Sequence, residues 1–410
     1  MDEWKDRLRV AMFTNVYLPT MNGVVVSVES FRKALTQLGH HPYVLAPASG
    51  EIEERAPYVF RYPAVELPLQ KYPLTLPVSP YVDHLLRNLK PQVLHANHPA
   101  LLGRVAERKS EELNLPLVFT YHTRYADYSH YASPLPQENV KEFIEAWLGV
   151  FISKCHHLVV PSQSIKTMLQ QTYPIQGQIS VVPTGIDLDQ YEHRDRAQAR
   201  QQLGWPAQQK VLVSVGRLAK EKNFDLLLQA FAQLPDDGSQ LVLIGAGDEQ
   251  KSLEKLAQEL QIESRCKFTG AVTNSEIPTY LTAADLFVFA SLTETQGLVT
   301  LEAMASGLPV VAVDASGTRD AVSPECALLT AADSHALAAG ITQMLTRQDL
   351  AEVGQAARRR AAQFGLLAQG QQMVKVYQHA IEAHQKQERV LPHSPETESR
   401  WQTFLKLFGL

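Results

Sequence analysis

Two glutamates, Glu294 and Glu302, stand on either side of a junction between an apolar run and a helical pattern. Residues 286–291 (LFVFAS) predict a buried strand, and residues 297–306 predict a helix. Glu294 then lies at the carboxyl end of a strand, where open α/β sheets bind ligands, next to a helix amino end that favours phosphate. About two helical turns beyond Glu294, Glu302 is placed to accept hydrogen bonds from vicinal hydroxyls such as a ribose diol. The N–H groups of this amino end belong to Gln296, Gly297, Leu298 and Val299.

A basic motif, residues 216–223 (GRLAKEKN), directly follows another apolar run. Beside Gly216, the Arg217 guanidinium can make forked contacts with a diphosphate and Lys222 adds a point charge. Gly245 ends the next run and lets a ligand or a neighbouring backbone approach, although no complete GxGxxG motif is present. Taken alone, each motif also fits a role without ligand binding: the basic motif as a solvated loop, and the two glutamates as a solvent-facing acidic pair.

In the first half of the chain, Gly23 lies in the turn between the first strand and its helix, where backbone could approach a ligand. A generic loop glycine fits that position almost as well. Two further strand ends carry histidines and an arginine: His95, His98, His122 and Arg124. A single histidine is more often a structural residue, but two such strand ends together indicate a cleft.

Short β-branched runs alternate with helical patterns along nearly the whole chain, which predicts parallel sheets with crossover helices. The pattern forms two α/β units, with the hinge placed at 183–189, where a Pro-Thr-Gly turn precedes a polar stretch. We therefore expect a first Rossmann-like domain over residues 1–188 and a second over 189–387. Residues 388–410 predict a tail helix docked on the protein, with membrane or partner attachment as the alternative.

The 410 residues are 45% hydrophobic and 20% charged, which excludes disorder, collagen and coiled coil. A net charge of −5 makes nucleic acid an improbable partner. Three dispersed cysteines indicate neither a disulfide framework nor a zinc site, and no short-spaced metal triad is visible. The acidic amino end lacks a secretory pattern and no run is long enough to span a bilayer, so we expect a cytoplasmic protein with at most peripheral membrane contact.

In order and spacing, these motifs resemble the retaining glycosyltransferases of family 4, over residues 9 to about 385. The resemblance is carried by the Gly23 loop, YHTR around His122, PTGID at 183–187, GRLAKEKN, IGAGDE at 244–249, FTG at 268–270 and the two spaced glutamates. It implies the GT-B fold, in which two Rossmann-like domains face each other across a cleft. One departure is Asn22-Gly23, where family members often have two glycines.

The resemblance implies that the donor is a UDP-sugar and that no metal or other cofactor is needed. It also implies that His122, Arg217, Lys222 and Glu294 are the catalytic residues. Arg217 and Lys222 match residues that grip the diphosphate, Glu294 matches one that touches the transferred sugar, and Glu302 matches one that holds the ribose. The residue matching His122 lies near the reacting sugar on the acceptor side. The leaving diphosphate oxygen takes the acceptor proton, without a protein nucleophile. The implied donor site also includes the glycines Gly23, Gly216, Gly245 and Gly270.

For the acceptor, the loops around Gly23 and His122 are most similar to those of bacterial diacylglycerol glucosyltransferases. Such enzymes are expected to present a basic surface to the membrane. Residues 1–190, however, carry 17 Lys and Arg against 18 Asp and Glu, and the segment 79–91 predicts a core-facing helix rather than an interfacial one. We therefore slightly prefer a soluble sugar phosphate such as fructose 6-phosphate over diacylglycerol. The residues predicted to bind the acceptor are His95, His98, His122, Arg124, Arg104 and Lys154.

Two other classes stay open at this point. A nucleotide-sugar epimerase has the same two-domain architecture but needs additional acid and base carboxylates. A non-catalytic module that binds nucleotide sugars would need the same donor pocket and would release no product. A pyridoxal-phosphate-dependent phosphorylase is less compatible, because nothing marks a Schiff-base lysine.

Overall fold

The computed structural model describes residues 7–48, 58–65, 74–76, 78–125, 137–192 and 194–391. The chain divides into two compact units, the first made of Met1–Gly185 and Leu366–Leu410 and the second of Ile186–Gly365. Each unit is a parallel sheet with helices packed on it, as the alternating pattern predicts. None of the described helices is both long and apolar enough to cross a membrane.

The first unit contains a seven-stranded parallel sheet in the order β3-β2-β1-β6-β7-β8-β9. Helices α1 and α14 share one core with the sheet, to which Phe31 and Tyr377 contribute. Residues of α2 to α5 pack into a second core around Phe119 and Phe151. The strands are β1 (Arg9–Phe13), β2 (His41–Pro47), β3 (Val59–Tyr62), β6 (Val93–Ala96), β7 (Leu117–Thr120), β8 (His157–Val160) and β9 (Gln178–Val181), with an antiparallel pair of β4 (Ala64–Val65) and β5 (Leu74–Thr75) after β3. The helices are α1 (Gly23–Gln37), α2 (Pro80–Leu89), α3 (Leu102–Leu113), α4 (Gln137–Ser153), α5 (Gln163–Thr172) and α14 (Leu366–Gln385).

The second unit contains a six-stranded parallel sheet in the order β12-β11-β10-β13-β14-β15. Phe287 and Leu286, which are neighbours in β13, are buried in separate cores, as expected for a strand covered on both faces. The strands are β10 (Val211–Val215), β11 (Gln240–Ile244), β12 (Cys266–Phe268), β13 (Leu286–Phe289), β14 (Val310–Val313) and β15 (Ala327–Thr330). The helices are α6 (Arg196–Leu203), α7 (Phe224–Phe231), α8 (Gln250–Glu259), α9 (Ile277–Ala283), α10 (Leu298–Ala305), α11 (Ser316–Ala321), α12 (Ser334–Leu345) and α13 (Leu350–Ala362).

Helix α14 belongs to the first unit, which corrects its assignment by sequence to the second domain. A Cβ on its Gly370 would lie 2.7 Å from the Cβ of Ala34 in α1, so glycine permits the close packing of the two helices. Beyond α14, Val390 and Leu391 are buried in the core around Phe119. The rest of the predicted tail helix, residues 392–410, lies outside the described residues.

Candidate functional site

In both sheets the strand order reverses beside the first strand, between β1 and β6 and between β10 and β13. Connections that leave the carboxyl ends of such strands diverge to opposite faces of the sheet and open a crevice for ligands. The motif 216–223 leaves β10 and residues 290–297 leave β13, so both donor motifs lie at the reversal point of the second unit. This is the placement that the sequence predicts for them.

An ion pair joins these two loops. The ammonium of Lys222 contacts Glu294 Oε1, and both side chains are largely buried. Ser291 Oγ, at the end of β13, donates a hydrogen bond to the same carboxylate oxygen over 3.0 Å. The pair and the serine together position a cation and a carboxylate at the carboxyl edge of the sheet, and a cation at this edge can make strong hydrogen bonds to phosphate.

Arg217 is oriented by Glu221, a residue that sequence reasoning missed. The Arg217 side chain is 52% exposed and pairs with the Glu221 carboxylate, whose side chain is only 5% exposed. The carbonyl oxygen of Glu221 also lies 3.4 Å from Ser291 Oγ and 3.5 Å from Thr293 Oγ1. The buried carboxylate of Glu221, four positions after Arg217, thus restricts the orientation of the guanidinium. An acidic residue inside an otherwise basic motif is the sequence feature that could have indicated this role.

Three of the predicted donor-site glycines lie at neighbouring strand ends and contact one another. A Cβ on Gly245 would lie 2.0 Å from the carbonyl oxygen of Gly216, and Gly245 has a φ of +140°. Its N–H donates to the carbonyl of Gly270 over 3.1 Å. The requirement for glycine at 245 therefore comes from a neighbouring backbone. Contact of these three residues with the donor stays a prediction.

The loop that carries Glu294 rests on the first residues of α11. Ser316 Oγ and the N–H of Gly317 both donate to the carbonyl of Glu294 over 3.1 Å. A Cβ on Gly317 would lie 2.5 Å from the Gln296 nitrogen. Gly297 has a φ of +75° and begins α10, which has Leu298 and Val299 in its first turn. Sequence reasoning missed Ser316 and Gly317, which belong to the next strand connection.

Glu302 lies in the second turn of α10 and is half-buried. Burial raises the pKa of its carboxyl group to about 7. The buried phenol of Tyr191 has a raised pKa, first because of burial and then because of the Glu302 charge. A carboxylate at this position can accept two hydrogen bonds from a diol, and its charge state changes near neutral pH.

At the reversal point of the first unit, Asn15 links the loops that follow β1 and β6. Its backbone N–H donates to His98 Nδ1 over 3.1 Å, so the neutral imidazole carries its hydrogen on Nε2. The Asn15 side chain donates to the carbonyl of Ala100 and accepts from the N–H of Leu102. Burial lowers the pKa of His98 to about 4, so the ring is neutral at physiological pH.

His122 follows β7, and its Nε2 lies 2.9 Å from Asn97 Oδ1. Burial, with smaller contributions from His98 and His95, holds the pKa of His122 well below its usual value. Arg124 is two positions further along and is half-buried. The structure thus brings His98 and His122 to one edge of the first sheet.

His95 was predicted to bind the acceptor, and the structure corrects this. The residue lies inside β6 with no exposed surface. Its Nδ1 lies 2.9 Å from the Tyr377 hydroxyl of α14, and its Nε2 lies 2.6 Å from Thr120 Oγ1. Both ring nitrogens are therefore engaged in the core, where burial lowers the pKa of His95 to about 3.

The basic residues predicted to bind an acceptor phosphate do not gather. Lys154 precedes β8 and so lies at the amino edge of the sheet, opposite His98 and His122, with its Nζ 4.0 Å from a Glu111 carboxylate oxygen. Arg104, in the first turn of α3, pairs with Glu107. The assignment of Lys154 to the acceptor site is therefore wrong, and those of Arg104 and Arg124 stay predictions.

Asn22 and Gly23, the departure from the family pattern, begin α1. Asn22 Oδ1 accepts the Val25 N–H over 3.0 Å and caps the helix. No atom lies within 4 Å of a Cβ built on Gly23. Packing among the described residues therefore does not require glycine at position 23. Contact of Gly23 with the donor stays a prediction.

Among the described residues, no three His, Cys, Asp or Glu side chains converge to hold a metal ion. That the cationic side chains and the helix amino end described above stabilise a departing diphosphate also stays a prediction. That the reaction needs no metal stays a prediction.

Two Rossmann-like units, each with a reversal of the strand order, are the architecture of the GT-B class of glycosyltransferases. Residues 195–360 match the family described as glycosyl transferases group 1, and residues 21–190 match glycosyltransferase family 4. The chain is 31% identical over 320 residues to the alpha-monoglucosyldiacylglycerol synthase of Acholeplasma laidlawii. The match covers 74% of this chain and 80% of that protein. It is 29% identical to the protein of that name from Streptococcus pneumoniae, over 74% of this chain and 71% of that one. The chain belongs to glycosyltransferase family 4.

A solved structure, sucrose-phosphate synthase from Thermosynechococcus elongatus, superposes with a TM-score of 0.77 at 25% identity, over 92% of this chain and all of that one. Another, Anabaena HepE in complex with UDP and glucose, superposes with a TM-score of 0.73 at 23% identity, over 91% of this chain and all of that one. The relatives also include a GDP-mannose-dependent alpha-mannosyltransferase of Corynebacterium glutamicum, 29% identical over 77% of this chain and 75% of that one.

Proposed function

We propose that this glycosyltransferase moves glucose from UDP-glucose to the free hydroxyl of diacylglycerol, with retention of the anomeric configuration. The two glucosyldiacylglycerol synthases among its relatives support the sugar and the lipid. The bond from the anomeric carbon to the diphosphate breaks, a bond to the lipid oxygen forms on the same face, and the diphosphate oxygen takes the hydroxyl proton. Arg217, Lys222 and the amino end of α10 stabilise the departing charge.

The observation that carries the acceptor is an apolar rim on the first unit. We define the rim as Met21, Val65, Leu76, Val78 and Tyr81. Val78 is 64% exposed and Tyr81 is 69% exposed, although side chains of this kind are usually buried. Where exposed apolar side chains share one surface, they mark contact with lipid or protein.

The topology places this apolar rim on the same sheet edge as His98 and His122. Met21 lies in the connection that leaves β1, Val65 is the last residue of β4, and Leu76 directly follows β5. Val78 and Tyr81 lie at the start of α2, which returns along the sheet to the amino end of β6. Each residue is therefore near the carboxyl edge, where an acyl chain could lie beside the reacting hydroxyl.

The neutral charge of the first half is compatible with this acceptor, because diacylglycerol itself carries no charge. A soluble sugar phosphate is the second candidate, supported by the likeness to sucrose-phosphate synthase and by Arg124 beside His122. It would require several cations at one place, whereas Lys154 lies at the opposite edge of the sheet.

The test is an acceptor and donor panel on the full chain. Mixed micelles with dioleoylglycerol, or fructose 6-phosphate in buffer, are incubated with UDP-glucose, UDP-galactose or GDP-mannose, and products are identified by mass spectrometry. We expect one hexose added to dioleoylglycerol from UDP-glucose, and none with Lys222→Met. Transfer only to fructose 6-phosphate would overturn the lipid acceptor. Isomerisation of the donor sugar in the absence of acceptor would favour an epimerase. Tight binding of the donor with no release of UDP would favour a non-catalytic binding module.

A second arm tests the apolar rim. Replacing Val78 and Tyr81 by serine is expected to raise the apparent KM for dioleoylglycerol while binding of UDP-glucose is unchanged. Leu329→Ser in β15, another exposed apolar side chain, is the matched control. Equal KM values for the double variant and the control would argue against lipid contact at this edge.

A further inference from the structure

The contacts of the Asn97 side chain show which of its amide atoms is the nitrogen and which is the oxygen. The residue directly follows β6 and is 1% exposed. Its backbone N–H donates to the carbonyl of Phe13 over 2.9 Å, and its Nδ2 donates to the same carbonyl over 3.3 Å. Because a carbonyl oxygen only accepts, the amide nitrogen must face Phe13 and Oδ1 must face His122.

This orientation determines the hydrogen of His122. Asn97 Oδ1 also only accepts, so the Nε2 of His122, 2.9 Å away, must donate. A neutral imidazole with its hydrogen on Nε2 has a lone pair on Nδ1. Burial lowers the pKa of His122, and the neighbouring His98 and His95 lower it further, so that the uncharged ring is favoured.

We propose that Asn97 is a positioning residue that holds His122 in the Nε2–H tautomer, so that Nδ1 acts only as a hydrogen-bond acceptor. A substrate hydroxyl that bonds to Nδ1 must then donate its hydrogen. With the opposite tautomer the ring would present a donor and would orient that hydroxyl incorrectly. The effect on turnover rests on the proposed role of His122 at the reacting sugar, whereas the tautomer does not.

The neighbouring histidine has the complementary polarity. His98 Nδ1 accepts the backbone N–H of Asn15, so its Nε2 is a donor. The carboxyl edge of the first sheet therefore combines one donor nitrogen on His98 with one acceptor nitrogen on His122. Such a pair suits a sugar or lipid hydroxyl, which both donates and accepts.

The direct test is nitrogen-15 NMR of the histidine side chains in the wild-type full chain, without substrate. Several histidines, His98 among them, are expected to give signals of the neutral Nε2–H form at pH 7, and the one that is lost in His122→Gln is assigned to His122. If the signal of His122 in the wild-type protein is instead that of an Nδ1–H or doubly protonated ring, the proposal is overturned. Because no variant needs to be active and no substrate is present, this outcome is independent of the proposed acceptor.

Two variants extend the test. Asn97→Asp places a carboxylate against Nε2–H, so the His122 signal should become doubly protonated at higher pH, and the acid limb of the kcat profile should move upward. Asn97→Leu should mix the tautomers and lower kcat by about 10- to 100-fold with the KM for UDP-glucose unchanged, by analogy with groups that orient ligating histidines. Unchanged signals and profiles in both would contradict the assignment.

Asn114→Asp is the matched control. Asn114 ends α3 near the amino edge, and its carbonyl oxygen lies 3.0 Å from Nε2 of His384. This variant should leave both the His122 signal and kcat as in the wild type. A comparable loss of kcat in the control would show that the effect of Asn97 is a general one on folding.

Discussion

Lys222 and Glu294 lie 72 positions apart in the sequence and form an ion pair at the carboxyl edge of the second sheet. The pair joins the loop that leaves β10 to the loop that leaves β13, at the point where the strand order reverses. Ser291 adds a hydrogen bond to the same carboxylate oxygen. The cation proposed for the diphosphate and the carboxylate proposed for the sugar hydroxyls are thus held together by direct contacts.

Glu294→Gln should separate sugar recognition from nucleotide binding. The amide keeps the size of the side chain but removes the charge that faces Lys222. We expect kcat/KM for UDP-glucose to fall about 10²- to 10³-fold, by analogy with loss of one preorganised polar group, while UDP binds as before. Steady-state kinetics and calorimetry measure the two quantities. Glu259→Gln, on the exposed face of α8, should change neither, and a wild-type kcat/KM for Glu294→Gln would refute the role.

Glu302 predicts a pH dependence of donor binding. Its pKa of about 7 means that the carboxyl group is mostly protonated at pH 6 and mostly ionised at pH 8. Because the ionised form accepts two hydroxyl hydrogens, UDP-glucose should bind about tenfold more tightly at pH 8 than at pH 6. In Glu302→Gln the affinity should be lower and independent of pH. A wild-type affinity that stays constant over this range would contradict the assignment of Glu302 to the ribose.

Gly317→Ala tests the support of the Glu294 loop. The new Cβ would lie 2.5 Å from the Gln296 nitrogen and 2.6 Å from the Glu294 carbonyl oxygen, so the loop must move. A displacement of about 1 Å at reacting groups can lower turnover about 10²-fold. Gly340→Ala is the control, because its Cβ would lie 2.7 Å from Thr330 Cγ2, between α12 and β15. We expect both variants to unfold at lower temperature and only Gly317→Ala to lose activity in the same preparation.

Arg200 is predicted to stabilise the second unit without a role in catalysis. Its side chain is 5% exposed and donates to the carbonyl of Ala283 and to Asp285 Oδ2, which also accepts the Val211 N–H. Replacing it by methionine removes the buried cation that pairs with Asp285 and leaves buried carbonyls without this donor, at a cost of about 3–5 kcal/mol. Urea unfolding followed by fluorescence measures this free energy. Arg196→Met, which removes a half-exposed partner of the same carboxylate, should cost less than about 1 kcal/mol.

The sheets and the donor edge could be predicted from the sequence because a simple geometric rule applies. Residues that follow a parallel strand lie at its carboxyl edge, which brings Arg217, Lys222 and Glu294 together from separate motifs. The same rule, applied strictly, explains two errors. His95 lies inside its strand, and Lys154 precedes its strand, so neither reaches that edge.

Other features depend on long-range packing that periodicity does not encode. The apolar stripe of α14 shows that one face is buried, but not which sheet covers it. Gly317 is needed because the backbone of Gln296 approaches it, and no local pattern announces such an approach.

The most direct test of the account is the affinity of the full chain for UDP-glucose, measured by calorimetry for the wild type, Lys222→Met and Lys210→Met. Lys210 precedes β10, at the amino edge of the same sheet, and is the matched control. If Lys222 holds the diphosphate, its loss should raise Kd at least about tenfold, or 1.4 kcal/mol, while Lys210→Met binds as the wild type does. Equal Kd values for all three folded proteins would contradict the claim that this edge binds the donor.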